Sequence, residues 1–366
     1  MRQTTEVEWE RPARAGAGWW SRWPEWAPLA AGTWSLLYGL LGLWWALGGD
    51  GFPFGEGDPG AVGSLLGEVP ARAGAPVVAA LGLAGAAAAL AMVRPWGRHL
   101  PRRLLATFAW ATAAVLLLVV PDARVLMLLG YLPALVLMLR ADAIDWPALN
   151  QFICLAGGAL WATAALAFQR RSRQACVHCG RAAHATVGPV GDGGRDGPRW
   201  GRWATWVAVV APLPYAATRL AWALHIPLGV TDEFMAMYRA DYVAKGVGLW
   251  RFTLGGMALG GSILTMGLVQ RWGAVFPRWV PFLAGRRVPP ALAIVPATLV
   301  SVAVTVASIS IWRGAAAEGL DLELGPDTWG PAGPILFWLP WGIALGLATL
   351  AYHLRRRGRC RHCGRG

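Results

Sequence analysis

Apolar residues along this chain fall into runs too long for a strand and too continuous for a helix with one wet face. Eight stretches of 17–23 residues, at 26–48, 73–93, 104–120, 148–168, 203–224, 247–269, 291–312 and 334–352, alternate with short polar and basic segments. About 20 apolar residues in a helix cross the ~30 Å hydrocarbon layer of a bilayer. The pattern predicts an all-α integral membrane protein with eight transmembrane helices. A ninth run, 125–139, is shorter; Gly130 and Pro133 interrupt it and Arg124 and Arg140 bracket it. It reads either as a re-entrant helix–break–helix that enters and leaves on one face, or as a short ninth span.

The charges between the runs favour the first reading. With eight spans and a cytoplasmic N-terminus, 25 of the 33 basic residues fall inside and 6 outside, while Arg219 and Arg251 lie within spans. Acidic residues run the other way, 6 inside and 14 outside. Arginine and lysine hold loops on the cytoplasmic side, so this split predicts a multi-pass protein with both termini cytoplasmic. A full ninth span would carry one set of basic loops to the outside.

Composition agrees. Of 366 residues 56% are hydrophobic and only 14% charged, and the mean hydropathy is +0.43. This excludes a disordered chain and a soluble enzyme with a single core. The net charge of +13 does not indicate nucleic acid, because the basic residues are spread over short loops rather than gathered in one patch. Lys245 is the only lysine, which together with 47 glycines suggests a GC-rich bacterial genome and hence a bacterial plasma membrane. The first 25 residues mix four Arg with four Glu and show no secretory cleavage pattern.

Several motifs occur twice in the same order. Tyr38 precedes Trp45-Ala46-Leu47 as Tyr215 precedes Trp222-Ala223-Leu224, and Pro53-Phe54-Gly55 is followed in kind by Pro227-Leu228-Gly229. Trp-Gly-x-x-x-Pro-Arg starts at Trp96 and Trp272, and Cys-x-His-Cys-Gly-Arg at Cys176 and Cys360. The tyrosine, tryptophan and cysteine motifs are offset by 177, 176 and 184 residues. The expectation is two tandem four-helix repeats, related by a pseudo-two-fold axis along the membrane normal. The chain then divides into a cytoplasmic tail (1–25), a first repeat (26–181), a basic, glycine-rich linker (182–202) and a second repeat (203–366). Segment 125–139 is an addition to the first repeat. The Trp-Gly elements read as structural elbows, with a functional gate the alternative, and Gly82, Gly85 and Ala89, like Gly256 and Gly260, as small-residue faces for close helix packing.

On residues 272–290, Trp-Gly-Ala-Val-Phe-Pro-Arg-Trp-Val-Pro-Phe-Leu-Ala-Gly-Arg-Arg-Val-Pro-Pro, and on the two cysteine motifs, the chain resembles a group of polytopic membrane proteins of actinobacteria. The resemblance covers most of the chain beyond residue 26. It implies a membrane location and no catalytic activity.

Cysteine supplies the candidate chemistry. Cys176, Cys179, Cys360 and Cys363 form two Cys-x-x-Cys-Gly knuckles, and Cys154 lies within a span. Two thiolates two residues apart chelate one metal while glycine permits the tight turn, and two knuckles complete a closed tetrahedral zinc site. Zinc shared between the knuckles would staple the two repeats. Iron fits the same ligands, His178, His362 or His184 are possible replacement ligands, and separate sites completed by partner residues are the alternative. A thioredoxin-like context is missing, and a reducing cytoplasm disfavours disulfides.

Arg219 and Arg251, with Asp232, Glu233 and Asp241 in the loop between their spans, are candidates for an outward-facing substrate or ion site; the alternative is salt bridging or snorkelling. Thr298, Ser301, Thr305 and Ser308 share one helical face, either as a hydrophilic path or as packed hydroxyls bonded to backbone. No metalloprotease, serine-hydrolase or Walker motif is present. Two function classes follow. One is a transporter or permease-like protein for an unidentified small solute. The other is a membrane scaffold or sensor that binds a cytoplasmic protein through its zinc knuckles.

Overall fold

The computed structural model describes residues 19–58, 64–137, 145–182, 199–244, 251–278, 280–317, 324–358, 360 and 362–364. These residues form helices and turns with no strand, apart from two isolated bridges. Among the described residues five helical segments are long and apolar enough to cross a membrane: Ala71–Val93, Arg102–Val119, Trp146–Ser172, Pro290–Ala316 and Trp329–Arg355.

Four long helices make the first half: α1 (Trp23–Ala46), α2 (Ala71–Val93), α3 (Arg102–Ala114, continued by a π-helical turn to Val119) and α5 (Trp146–Ser172). Small residues let α1 and α2 meet backbone to backbone. A Cβ built on Gly82 would collide with Gly39 Cα and lie 2.7 Å from Gly39 N and 2.8 Å from Ser35 O. A Cβ on Gly42 would lie 2.6 Å from Ala79 N. Against this seam α5 places Trp161, fully buried, whose Nε1–H donates to Ser35 Oγ at 2.9 Å. The Trp34 Nε1–H donates to the Ile153 carbonyl at 3.1 Å, and Trp34 stacks on Tyr38 at 4.9 Å.

The second half holds α6 (Arg199–Val210), α7 (Leu213–Ala223), α9 (Thr253–Met266), α10 (Pro290–Ala317) and α12 (Trp338–Arg355). Helix α10 lies along α12, α12 along α6, and α7 along α9. Between the halves, α4 (Ala123–Leu137) joins α5 and α10 through Val125, Leu155 and Ala303. The short helices α8 (Asp232–Ala244) and α11 (Trp329–Ala332) complete the order.

Hydrogen bonds sort the loops into two ends. At one end Arg171 donates to the Pro24 carbonyl (2.6 Å), Tyr352 to that of Gly273 (2.7 Å) and Arg356 to that of Val288 (2.7 Å). The start of α1 and the ends of α5 and α12 therefore share one face. At the other end Trp146 donates to the Gly51 carbonyl at 2.7 Å, and Gly330 N to that of Gly229 at 2.7 Å.

The doubled motifs adopt matching local geometry. Gly55 and Gly229 both take left-handed φ, +56° and +66°. A Cβ on Gly97 would lie 2.5 Å from the Ala91 carbonyl carbon, and one on Gly273 2.6 Å from that of Gly267. Both Trp-Gly elbows thus fold back onto the end of the preceding helix.

Four expectations change. Run 203–224 is two helices, because Pro212 and Pro214 cannot donate the hydrogen bonds that would continue α6 into α7. Run 247–269 contains a helix of only 14 residues, Thr253–Met266, with 247–250 outside the described residues. Gly130 and Pro133 do not break run 125–139: α4 passes through both to Leu137, and 138–139 lie outside the described residues. Gly256 and Gly260 have no described atom of a neighbouring element within 4 Å of a built Cβ; the packing glycine of α9 is Gly255, whose built Cβ would lie 2.7 Å from Leu220 Cγ. Most of the tail and residues 183–198 of the linker also lie outside the described residues.

Candidate metal centre

Each knuckle is a turn held by its own backbone. Past α5, Gln174 takes φ +52° and Ala175 N donates to the Arg170 carbonyl at 3.0 Å, which turns the chain off the helix. Cys176 N then donates to the Arg181 carbonyl (2.9 Å) and Gly180 N to that of Cys176 (2.6 Å). Gly180 has φ +74°, a region where a Cβ is strained. Past α12 the geometry recurs, with Gly364 N donating to the Cys360 carbonyl at 2.8 Å and Gly364 at φ +69°.

The knuckles face each other. Cys176 Sγ lies 3.9 Å from Cys360 Sγ, Cys179 Sγ lies 3.6 Å from Cys363 Sγ, and all four ligand atoms are within 4.8 Å of one another. A tetrahedron with Zn–S bonds near 2.3 Å has sulfur–sulfur edges of about 3.8 Å. The two cross-pairs therefore already stand at coordination spacing, although 184 residues separate the partners.

The surroundings favour thiolate. Arg170 reaches from α5 to the Val177 (2.8 Å) and His178 (3.0 Å) carbonyls, and Arg181 crosses to the Gly358 carbonyl at 3.2 Å. Partial burial pushes the Cys176 thiol up, but hydrogen bonds from the Cys179 and His178 backbones and the Cys179 and Cys363 side chains outweigh it. The result is a fall from 9.0 to about 6. The histidines have another task. The His178 and His362 rings stack at 3.5 Å, and His178 Nε2 meets the Ser21 carbonyl at 2.7 Å, tying the knuckles to the start of α1. The described residues that cluster as ligands are thus the four cysteines alone, and His184 lies outside the described residues. Four cysteines at this spacing fit a metal ion; the sulfur set suits zinc and iron alike.

Two acids of the expected outer polar pocket stand apart from its arginines. Asp232 and Glu233 are exposed in the first turn of α8, and neither pairs with Arg219 or Arg251. Arg219 lies over the rings of its helix neighbours Tyr215 (4.6 Å) and Trp222 (4.2 Å), a three- and four-residue spacing legible in the sequence. Arg251 Nη1 contacts His225 Nε2 at 3.1 Å. The hydroxyls of α10 differ among themselves, and Ser308 Oγ is buried without a hydrogen-bond partner among the described residues. Ser301 donates to the Gly342 carbonyl on α12, Thr305 to the Ser301 carbonyl, each at 2.7 Å, and Thr298 is exposed.

Two polar clusters escaped the sequence reading. Arg124 grips Asp58 with both Nη atoms and Asp122 with Nε and Nη2, and both carboxylates are buried, at 6% and 1% exposure. Within the first half Tyr38 donates to Asn150 Oδ1 at 2.9 Å, and Cys154 Sγ donates to Tyr38 Oη at 3.4 Å. Cys154 is otherwise the small buried residue expected. No family model, curated protein or solved structure matches the chain.

Proposed function

We propose that this is a bacterial plasma-membrane scaffold in which zinc, held by Cys176, Cys179, Cys360 and Cys363, clamps two tandem four-span repeats at their cytoplasmic ends. The single observation that carries the reading is the pair of cross-repeat sulfur distances, 3.9 and 3.6 Å. Four thiolates form a closed coordination shell with no open position for substrate, which is the structural class of zinc site. Paired elbows, paired knuckles and corresponding contacts, α1 on α2 as α7 on α9 and α3 on α5 as α10 on α12, support the repeat. The start of α1 and the end of α12 share a face, which fits an even number of crossings and two cytoplasmic termini. The clamp presents a basic face rich in arginine to a cytoplasmic protein.

Permease-like transport is the second reading. Arg219 Nη1 and Trp338 Nε1 are buried donors without an acceptor, on either side of Tyr215 in that reading's outer half. Against it, the Ser301 and Thr305 hydroxyls of α10 are committed to backbone carbonyls. The test is an engineered protease site within 183–198. Cleaved protein carrying zinc should elute as one particle in mild detergent, and Cys360→Ser with Cys363→Ser should make the halves separate more readily. Equal separation with and without the cysteines would overturn the clamp.

A further inference from the structure

After the second Trp-Gly elbow the chain makes an excursion that has no counterpart after the first, where α3 begins at Arg102 directly beyond Pro101. The described residues of 274–288, all but 279, fold back on themselves. Val288 N donates to the Ala274 carbonyl, Phe276 N to that of Arg286 and Gly285 N to that of Phe276, each at 3.0 Å. The base is pinned where α9 ends and α10 begins: Arg356 donates to the Val288 carbonyl and Tyr352 to that of Gly273, each at 2.7 Å. This is the face that carries the cysteine cluster.

The tip is apolar and convex. Pro281, Phe282, Leu283 and Ala284 are exposed, and Phe282, at 95%, is the most exposed large apolar side chain among the described residues. Phe282 sits at φ +64°, a left-handed conformation that non-glycine residues rarely adopt. Arg278, Arg286 and Arg287 flank the tip, all exposed, and no Asp or Glu occurs between Asp241 and Glu318. In water an extended aromatic side chain gains nothing; at the boundary of headgroups and acyl chains it leaves water while arginines meet phosphate. Apolar tip, basic flanks and a base level with two helix ends match an anionic leaflet. A protein partner's complementary pocket would need acidic walls instead.

We propose that the 274–288 excursion is an interfacial anchor: Phe282 and Leu283 dip into the cytoplasmic leaflet while Arg278, Arg286 and Arg287 bind anionic phospholipid headgroups. This rests on the membrane reading and not on the zinc clamp. The test uses the full chain with Phe282→p-benzoylphenylalanine, reconstituted in nanodiscs of phosphatidylcholine and phosphatidylglycerol and irradiated, with lipid adducts read by intact mass spectrometry. Leu264 on α9, 69% exposed, receives the same probe as a control. The expected result is phospholipid adducts at both positions, with those at 282 enriched in phosphatidylglycerol. Arg286→Gln and Arg287→Gln should each lower that enrichment by up to about fivefold. Adducts at 264 but none at 282 would overturn the anchor, as would a probe at 282 in native membranes that captures protein instead of lipid. Adducts at neither position would overturn the membrane reading itself.

Discussion

Replacing Gly82 with alanine adds one carbon to the tightest seam of the first half. Its Cβ would collide with Gly39 Cα and stand 2.7 Å from Gly39 N, about 1 Å inside ordinary contact. The obstacles are backbone atoms, which cannot swing aside, so α1 and α2 must separate. An ångström of separation forfeits a quarter to a half of each contact's dispersion energy, and overpacking typically costs ~1–3 kcal/mol. Dispersion is the main force between helices in lipid, so little compensates. At ~2–4 °C per kcal/mol, the melting temperature should fall by roughly 5 °C, measured by heating detergent-solubilised protein and following the monodisperse peak on size exclusion. Gly256→Ala is the internal contrast: that position is exposed with no described atom within 4 Å, and alanine is the better helix former. It should melt at or above the wild-type temperature. Unchanged melting of Gly82→Ala, or an equal fall for both variants, would refute the packing argument.

The remaining expectations concern the elbows, the Arg124 ion cluster and the thiols. Gly97→Ala and Gly273→Ala should destabilise by similar amounts, since each Cβ meets a carbonyl carbon at 2.5–2.6 Å; a cost confined to one elbow in thermal melts would count against equivalent halves. Arg124→Gln leaves Asp58 and Asp122 buried and unpaired, at a cost of about 3 kcal/mol, the low end for a buried pair because Arg124 keeps 19% exposure. Adding Asp58→Asn should recover part of the lost melting temperature, and a double variant no better than the single would speak against the ion cluster. In metal-stripped protein, the depressed Cys176 pKa contributes stability that is complete above pH 9.0 and disappears as pH falls through about 6. Iodoacetamide alkylation of Cys176, read by peptide mass spectrometry, should therefore rise with a midpoint near pH 6; a midpoint near 9 would contradict the hydrogen-bonded thiolate.

Length and apolarity were legible from the chain because they need no knowledge of partners. Runs 73–93, 148–168 and 291–312 each lie within a membrane-length helix, and the Gly82–Ala89 face packs as its spacing suggested. The knuckles were legible too, since a Cys-x-x-Cys-Gly turn encodes its own geometry and duplication pointed each knuckle to its mate. What failed depended on neighbours. Gly256 resembles a packing glycine in sequence, yet Gly255, one position away and rotated about 100° around the helix, faces Leu220. Pro133 reads as a breaker, but a helix tolerates proline when other packing holds it. Asp58, in a loop, and Arg124, in the first turn of α4, are 66 residues apart, and only the folded bundle brings them together. Arg219 lies over the rings of Tyr215 and Trp222, its own helix neighbours.

Metal content per chain tests the central claim most directly. Full-length protein purified without chelators should carry about one zinc by elemental mass spectrometry, and none after Cys360→Ser with Cys363→Ser, because two thiolates cannot complete the tetrahedron. Two zincs per chain, or one zinc retained after both cysteines of the second knuckle are gone, would contradict a site shared between the two knuckles.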